Sequence, residues 1–214
     1  IKGDSAAVAA AVEKKGAKDA IKITFPDGAS KEFSKGTTPL DVAKSISRGL
    51  AEEAVAAKVN GVLYDLTRPI ESDASLQLLK FDSAEGKGVF WHSAAHVMAQ
   101  AVTRLFPFAK LTIGPVFEGG FYYDIDHEPF KPQDLEKIEK EMAQVVAEKL
   151  EIHRKALTKA EALKIFKDNS YKVEIINEDV KADEDILAYQ QGTFIDLCHG
   201  PHVPNTSYIK AFKL

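Results

Sequence analysis

Two short motifs contain most of the chain's histidines and its single cysteine. The first, His92-Ser93-Ala94-Ala95-His96, places two imidazoles at positions i and i+4. The second, Cys198-His199-Gly200-Pro201-His202, places a thiol and an imidazole at the same spacing, and Asp196 comes shortly before it. If the fold brings the motifs together, they form a pocket whose groups transfer protons, bind a metal ion, or do both.

A helix is predicted around the first motif. Apolar residues recur at i, i+3 and i+4 from about Phe90 to Phe106, and Pro107 ends the pattern. His92 and His96 then project from one side, one turn apart. That spacing suits two ligands of one metal ion, two imidazoles that line one pocket, or simply one core and one surface histidine.

A strand followed by a turn is predicted around the second motif. Phe194 to Cys198 is strand-like, with Asp196 and Cys198 on a shared face. The Gly200-Pro201 pair prevents a helix and folds Cys198 and His202 towards each other. A buried free cysteine is usually a small hydrophobic residue, but the neighbouring carboxylate and histidines favour a functional site.

Three chemistries fit this set of residues. Three histidines and Cys198 provide the ligands of a tetrahedral zinc ion, with or without a coordinated water. Cys198 and a histidine also provide a covalent nucleophile and its base. In the third alternative, the histidines, Asp196 and Lys172 hold a water molecule against an ester without a metal. The spacing of the motifs does not decide among them.

Composition limits the class of protein. The 214 residues suffice for one large domain or two small ones, and the net charge of −4 argues against a strongly basic module that coats nucleic acid. A single cysteine excludes an intramolecular disulfide and fits a reducing, cytoplasmic location. No stretch reaches the roughly 18–20 apolar residues of a membrane span, so no membrane partner is expected. The chain lacks an initial Met, and we expect it to be a piece of a longer protein.

The front of the chain predicts a small β-grasp domain over residues 20–84, after an N-terminal extension at residues 1–19. Alternation from Ile21 to Phe25 and the turn at Pro26-Asp27-Gly28 predict one hairpin. Thr38-Pro39 then opens a helix. A second hairpin turns at Asn60-Gly61, and Leu76 to Leu79 supplies the last strand.

Residues 85–89 are glycine-rich and predict a linker to a larger domain at residues 90–214. That domain mixes helices and strands without strict alternation, and Tyr171 to Ile176 is predicted to be one of its strands. The fold class is therefore α+β, a small ubiquitin-like β-grasp domain followed by a larger α+β domain.

Four sequence blocks, in order, resemble the editing domain of bacterial-type threonyl-tRNA synthetases, a family that also carries a TGS β-grasp module first. The blocks are His92-x-x-x-His96, the run from Ile113 to Asp124, Tyr171-Lys172-Val173-Glu174, and the run from Asp196 to His202. Four blocks in the right order are far more specific than any single motif. The resemblance extends from about Ala20 to the end of the chain.

This resemblance implies an aminoacyl-tRNA deacylase that hydrolyses serine wrongly esterified to threonine tRNA. By position, it implies catalytic roles for His92, Lys172 and Asp196, with Asp196 holding the serine ammonium. It also implies that substrate-binding residues line the pocket, namely His96, Gly114, Cys198 and His202. His199 stands where many relatives are expected to have Arg, and its role stays open.

The resemblance favours a metal-free site, with zinc at His92, His96, Cys198 and His202 as the alternative. The expected partners are threonine tRNA with a seryl ester at its 3′ end and the rest of the synthetase, whose full-length form is expected to be a homodimer. The catalytic and anticodon-binding domains do not fit within 214 residues. We therefore expect this fragment not to activate threonine.

Two other functions compete with this interpretation. One is a zinc-dependent deacylase of the alanyl-editing type, and the other is a non-catalytic RNA-binding module. A TGS domain joined to a GTPase is disfavoured, because the sequence contains no Gly-x-x-x-x-Gly-Lys-Ser/Thr phosphate loop.

Overall fold

A computed structural model describes residues 19–178 and 185–214. Residues 1–18 of the predicted N-terminal extension lie outside the described residues. In the described part of the chain, no helix combines the length and the apolar composition that a bilayer crossing needs. The structure confirms the α+β class, with a small β-grasp unit followed by a larger unit that mixes helices and strands.

The β-grasp unit is a five-stranded sheet with two short helices. Its strands are β1 (Ala20–Thr24), β2 (Ser30–Ser34), β3 (Ala54–Val59), β4 (Val62–Tyr64) and β5 (Ala74–Lys80). They lie in the order β2-β1-β5-β3-β4, with β1 parallel to β5. Helices α1 (Pro39–Ile46) and α2 (Arg48–Glu53) connect β2 to β3. Both predicted hairpins are present.

Local sequence explains these elements. The Thr38 side chain accepts a hydrogen bond from the Asp41 amide while the Asp41 carboxylate accepts one from the Thr38 amide, which is a capping box at the start of α1. Asn60 and Gly61 have φ of 51° and 80°, the conformation that a two-residue hairpin turn requires. Ile23 and Leu66 are fully buried in the core of the sheet.

The larger unit is built on one long helix and a three-stranded sheet. Its helices are α3 (Ala84–Leu105), α4 (Pro132–Ala147), α5 (Lys159–Phe166) and α6 (Ser170–Glu178). Its strands are β6 (Lys110–Leu111), β7 (Val116–Phe117), β8 (Gly120–Phe121), β9 (Ile125–Asp126), β10 (Ile152–Leu157), β11 (Ile186–Gln191) and β12 (Phe194–Leu197). Strands β10, β11 and β12 form an antiparallel sheet in that order.

The two units share an apolar core. Val55, Ala56 and Leu79 of the β-grasp sheet are buried in the same cluster as Val89 and Val97 of α3. Burial of apolar surface across this boundary favours a fixed arrangement of the units.

The predicted linker at residues 85–89 is wrong, because these residues form the first turns of α3. Ser83 caps the helix by accepting a hydrogen bond from the Gly86 amide at 3.0 Å. Gly86 is buried, and a side chain there would collide with the carbonyl of Lys80. Gly86 therefore serves close packing rather than flexibility.

The predicted strand from Tyr171 to Ile176 is also wrong, because these residues lie in α6. The Asn169 side chain accepts hydrogen bonds from the amides of Tyr171 and Lys172, which starts the helix. Lys172 and Ile176 are both buried, as expected for residues one helical turn apart. Over so few residues, alternation and helical spacing are hard to distinguish.

Candidate active site

Helix α3 carries the first histidine pair towards the interior. His96 is 3% exposed and His92 is partly buried. Their rings meet edge-on, with centroids 5.2 Å apart. Ala94, Ala95 and Val97, their neighbours along the helix, are also buried. The predicted i, i+4 pair therefore faces one site.

The turn after β12 brings the second motif against this helix. Gly200 has φ of 69°, and a side chain there would collide with the hydroxyl of Tyr189, so the turn requires glycine. The Sγ of Cys198 lies 3.2 Å from Nε2 of His92 and 3.2 Å from Nε2 of His202. The two sequence motifs thus meet at one point of the fold.

Four donor atoms converge at this point. One ring nitrogen from each of His92, His96 and His202, together with the Cys198 sulfur, all lie within 4.8 Å of one another. The rings of His96 and His202 are the closest pair, with centroids 4.2 Å apart. We call these four side chains the imidazole–thiol cluster. Among the described residues, they form the group whose donor atoms could hold a metal ion.

Burial keeps the imidazole–thiol cluster uncharged. It lowers the pKa of His92 and lowers that of His96 to about 3, although Asp196 opposes the shift at both. Burial also lowers the pKa of His202 well below its ordinary value. Burial raises the pKa of the Cys198 thiol to about 12, so at neutral pH the sulfur keeps its proton and is a poor nucleophile.

Hydrogen bonds assign the tautomers of two rings. The Ser93 hydroxyl donates to the Val89 carbonyl at 2.8 Å, so the 3.1 Å contact of Ser93 Oγ with Nδ1 of His202 needs a proton on Nδ1. Nε2 of His202 then accepts from the Cys198 thiol. The sulfur in turn accepts from Nε2–H of His92, and Nδ1 of His92 keeps a lone pair.

A buried ion pair stands beside the cluster. The Nζ of Lys172 lies 2.6 Å from Oδ1 of Asp196. Asp196 also accepts hydrogen bonds from the Leu197 amide at 2.8 Å and from the Tyr123 hydroxyl. Three donors of the protein therefore bind this carboxylate, and the carboxylate fixes the position of the Lys172 ammonium.

Tyr123 is a site residue that sequence reasoning missed. Its hydroxyl contacts Asp196 and lies 3.4 Å from Nζ of Lys172, and burial raises its pKa, so it remains a hydrogen-bond donor. Its ring fills the space over Gly114, where any side chain would collide with it. A glycine nine residues before a tyrosine is no recognisable pattern; only the fold reveals this contact.

A cavity of about 430 Å³ opens onto these groups. Lys172, His92, His96, Cys198 and Gly114 all line it, which brings together five of the seven residues predicted from the sequence.

The other two predicted residues, Asp196 and His202, lie outside this lining and directly behind it. Asp196 pairs with Lys172, and His202 contacts Cys198. His199, whose role was left open, lines the cavity as an exposed residue at its rim. The site therefore has a layer that faces the cavity and a layer that supports it.

Comparison with known proteins agrees with this architecture. A family model described as "TGS domain" matches residues 21–80, and one described as "Threonyl and Alanyl tRNA synthetase second additional domain" matches residues 187–214. Over 198 residues the chain is 52% identical to threonine–tRNA ligase of Parabacteroides distasonis, and over 197 residues it is 54% identical to that of Desulforamulus reducens.

The chain matches the N-terminal region of threonine–tRNA ligases. Each alignment covers 91% of this chain but only 30% or 31% of the relative. The chain therefore spans about a third of the length of the threonine–tRNA ligases it matches. The second family model begins within β11 and takes in Asp196, Cys198 and His202.

The donor set of the imidazole–thiol cluster suits a zinc ion. Zinc prefers imidazole nitrogen and thiolate sulfur in a tetrahedral arrangement. His92, His96, Cys198 and His202 would hold it, and Ser93 would fix the His202 ring from behind, as is usual for a metal-bound histidine. If three of these side chains held the zinc and left its fourth position open, the ion would act as a Lewis acid towards a carbonyl oxygen.

Proposed function

We propose that this chain is the proofreading part of a threonine–tRNA ligase and hydrolyses the ester bond of a wrongly charged tRNA. The observation that carries the proposal is that Lys172, His92 and His96 line one cavity beside the buried Asp196. Ester hydrolysis needs a positioned water molecule, a base, and a donor for the developing oxyanion. The similarity to threonine–tRNA ligases supports a tRNA substrate.

Lys172 is the group proposed to stabilise the oxyanion. Two of its three ammonium donors point to Asp196 and Tyr123, at 2.6 Å and 3.4 Å. Because Lys172 also lines the cavity, the third donor is available to an ester carbonyl or to the attacking water. A fixed cation in a water-poor site stabilises a developing negative charge far more than it would in bulk water.

His92 is the group proposed to accept a proton from water. Its imidazole is neutral, and the hydrogen-bond chain through Cys198 and His202 leaves a lone pair on Nδ1. The water oxygen forms the new bond to the ester carbon, and the bond from that carbon to the ribose oxygen breaks. The ribose oxygen leaves with the proton that His92 took from the water. The products are the free amino acid and uncharged tRNA.

The supporting layer is proposed to act through these two residues. The resemblance implies that Asp196 holds the serine ammonium, but the Asp196 carboxylate already accepts hydrogen bonds from Lys172, Tyr123 and a backbone amide. We therefore propose that Asp196 positions Lys172. In the same way, His202 positions Cys198 and, through it, His92.

The remaining cavity residues are proposed to shape the pocket around the amino acid and the terminal adenosine. His96 and the backbone at Gly114 form part of its wall, and the protonated thiol of Cys198 fills space beside them. A site that accepts threonine cannot strongly reject serine, because serine differs from threonine only by the absence of one methyl group. A separate pocket is therefore needed to remove serine. One methyl group in a binding site discriminates by only about 1–3 kcal/mol, so a second site must remove the error.

The donor cluster favours one second candidate, a zinc-dependent deacylase of the alanyl-editing type. It rests on the four ligand atoms that lie within 4.8 Å of one another. We favour the metal-free mechanism because Lys172 provides a fixed positive charge at the cavity without a metal. The proposed partners are tRNA and the remainder of the ligase, with a homodimeric full-length enzyme.

The test measures release of labelled amino acid from seryl-tRNA(Thr), threonyl-tRNA(Thr) and alanyl-tRNA(Ala), each with and without a chelator. The proposal predicts rapid loss of serine only, unchanged by the chelator. Loss that the chelator abolishes, or loss of alanine, identifies the zinc-dependent deacylase. Absence of hydrolysis at saturating tRNA binding identifies a non-catalytic RNA-binding module.

A further inference from the structure

One carboxylate of the β-grasp unit reaches into the larger unit beside the candidate active site. Asp65 follows β4 directly and precedes Leu66, which is fully buried in the β-grasp core. The Asp65 side chain points the other way and is only 6% exposed. Its backbone is therefore anchored in one unit while its charged group lies against the other.

Both oxygens of Asp65 are used there. Oδ1 accepts a hydrogen bond from the His202 amide at 3.0 Å, and Oδ2 accepts one from the Tyr189 hydroxyl at 2.8 Å. The Tyr189 ring packs against the His202 ring, with centroids 4.6 Å apart, and its hydroxyl lies against Gly200. Asp65 thus holds the turn after Cys198 directly, through the His202 amide, and indirectly, through Tyr189.

The turn that Asp65 holds carries the supporting layer of the site. His202 touches Cys198 through Nε2 at 3.2 Å, and Cys198 touches His92 at the same distance. On its other side, the His202 ring contacts Ser93 of α3. A shift of the His202 backbone would therefore move the ring that orients both Cys198 and His92.

Holding the two units together does not by itself explain why the Asp65 carboxylate is buried here. The shared core of Val55, Leu79 and Val89 already joins the units by apolar contact. Replacing a buried charge by apolar packing often stabilises a protein, so its presence suggests a demand other than stability. The two hydrogen bonds provide directional control that apolar contact cannot give.

We propose that Asp65 is a positioning residue of the active site, by which the β-grasp unit fixes His202 and, through Cys198, the orientation of His92. The inference rests on the proposed ester hydrolysis for its catalytic consequence, but the placement of His202 can be tested without it. It assigns the β-grasp unit a part in the proofreading site in addition to any contact with RNA.

The experiment compares Asp65→Ala with Asp73→Ala in the full 214-residue chain. Asp73 is a matched control, because it also accepts a backbone hydrogen bond, from the Lys22 amide at 2.8 Å, but within the β-grasp sheet. The first measurement is the set of imidazole ¹⁵N signals in NMR spectra. We expect the His202 and His92 signals to shift in Asp65→Ala and to stay in place in Asp73→Ala.

The second measurement is serine release from seryl-tRNA(Thr). We expect Asp65→Ala to lower kcat by about 10- to 100-fold with little change in KM, as for a misplaced catalytic group. Asp65→Asn should restore most of the rate, because its oxygen accepts from the His202 amide and its nitrogen donates to the Tyr189 oxygen. Tyr189→Phe, which removes one of the two contacts, should give an intermediate rate.

Wild-type His202 signals and a wild-type kcat in folded Asp65→Ala would overturn the inference. If Asp65→Ala does not fold, Tyr189→Phe decides in its place, and wild-type signals and rates in Tyr189→Phe would overturn the inference equally. Shifted His202 signals in a chain whose wild type releases no serine would uphold the positioning role and reject the proposed function.

Discussion

The ammonium of Lys172 lies 2.6 Å from the carboxylate of Asp196, and their side chains are only 4% and 2% exposed. Tyr123 donates to the second oxygen of the same carboxylate. Of the charged pair, only Lys172 lines the cavity. The carboxylate therefore acts on the cavity through the lysine it holds.

This burial predicts a large stability difference between two lysines. Lys172→Met leaves Asp196 buried without its countercharge, which should lower the free energy of unfolding by about 3–5 kcal/mol. Lys213 also lies 2.6 Å from a carboxylate, that of Glu139, but is 79% exposed. Lys213→Met should cost less than about 1 kcal/mol. Urea denaturation measures the free energy of unfolding of both variants. Equal losses would show that burial does not determine the cost of removing the lysine.

Tyr123→Phe should weaken the support of Lys172 without opening a cavity. Loss of the hydroxyl leaves one oxygen of the buried Asp196 without its donor, at a cost of about 1–3 kcal/mol. We expect serine release to slow by about 10-fold or more through kcat, because Lys172 loses its fixed position. Tyr122→Phe is the control, since Tyr122 is 48% exposed. Equal rates for both variants would remove Tyr123 from the site.

Gly114→Ala should also disturb Tyr123, in this case by pushing on its ring. The added methyl group would collide with the Tyr123 ring, so the ring or the cavity wall must move. We expect reduced hydrolysis and a lower melting temperature. Gly88→Ala adds a methyl group in open space within α3 and should leave the protein unchanged or slightly more stable. A fully active Gly114→Ala variant would show that the wall tolerates the shift.

The buried imidazoles predict acid sensitivity. Burial lowers the pKa of His96 to about 3 from its ordinary value of 6.5. Between these values the unfolded chain binds a proton that the folded protein does not, so the free energy of unfolding falls as the pH drops. From pH 6.5 to pH 5 this loss should be about 1.6 kcal/mol for His96. His92 and His202 act in the same direction.

Urea denaturation of His96→Gln across this pH range tests the assignment. The variant should show a flatter dependence of stability on pH than the wild type, whatever its absolute stability. His153→Gln, which changes an exposed side chain, is the control for the removal of a histidine. A wild-type slope in His96→Gln would mean that this ring is not held neutral.

The sequence predicts the positions of site residues best where their spacing along the chain alone determines those positions. His92 and His96 share a helix face because they are four residues apart, and Cys198 and His202 meet because Gly200 requires a turn. The resemblance places Lys172 in the site, and Lys172 lines the cavity although its predicted strand is a helix. The prediction of its place did not depend on the local conformation.

The supporting residues could not be predicted in this way. Tyr123 contacts Asp196 across 73 residues, and Asp65 contacts His202 across 137. Such contacts depend on how whole elements pack, which leaves no periodic signal in the chain. Asp65 follows a strand in a polar segment, where a surface position is the ordinary expectation.

The most direct test of the account is the single-turnover release of serine from seryl-tRNA(Thr) by the wild type, Lys172→Met and Lys213→Met, at a temperature where circular dichroism shows all three to be folded. We expect wild type and Lys213→Met to release serine at the same rate and Lys172→Met to be slower by at least about 100-fold. Equal rates for Lys172→Met and the wild type would contradict it.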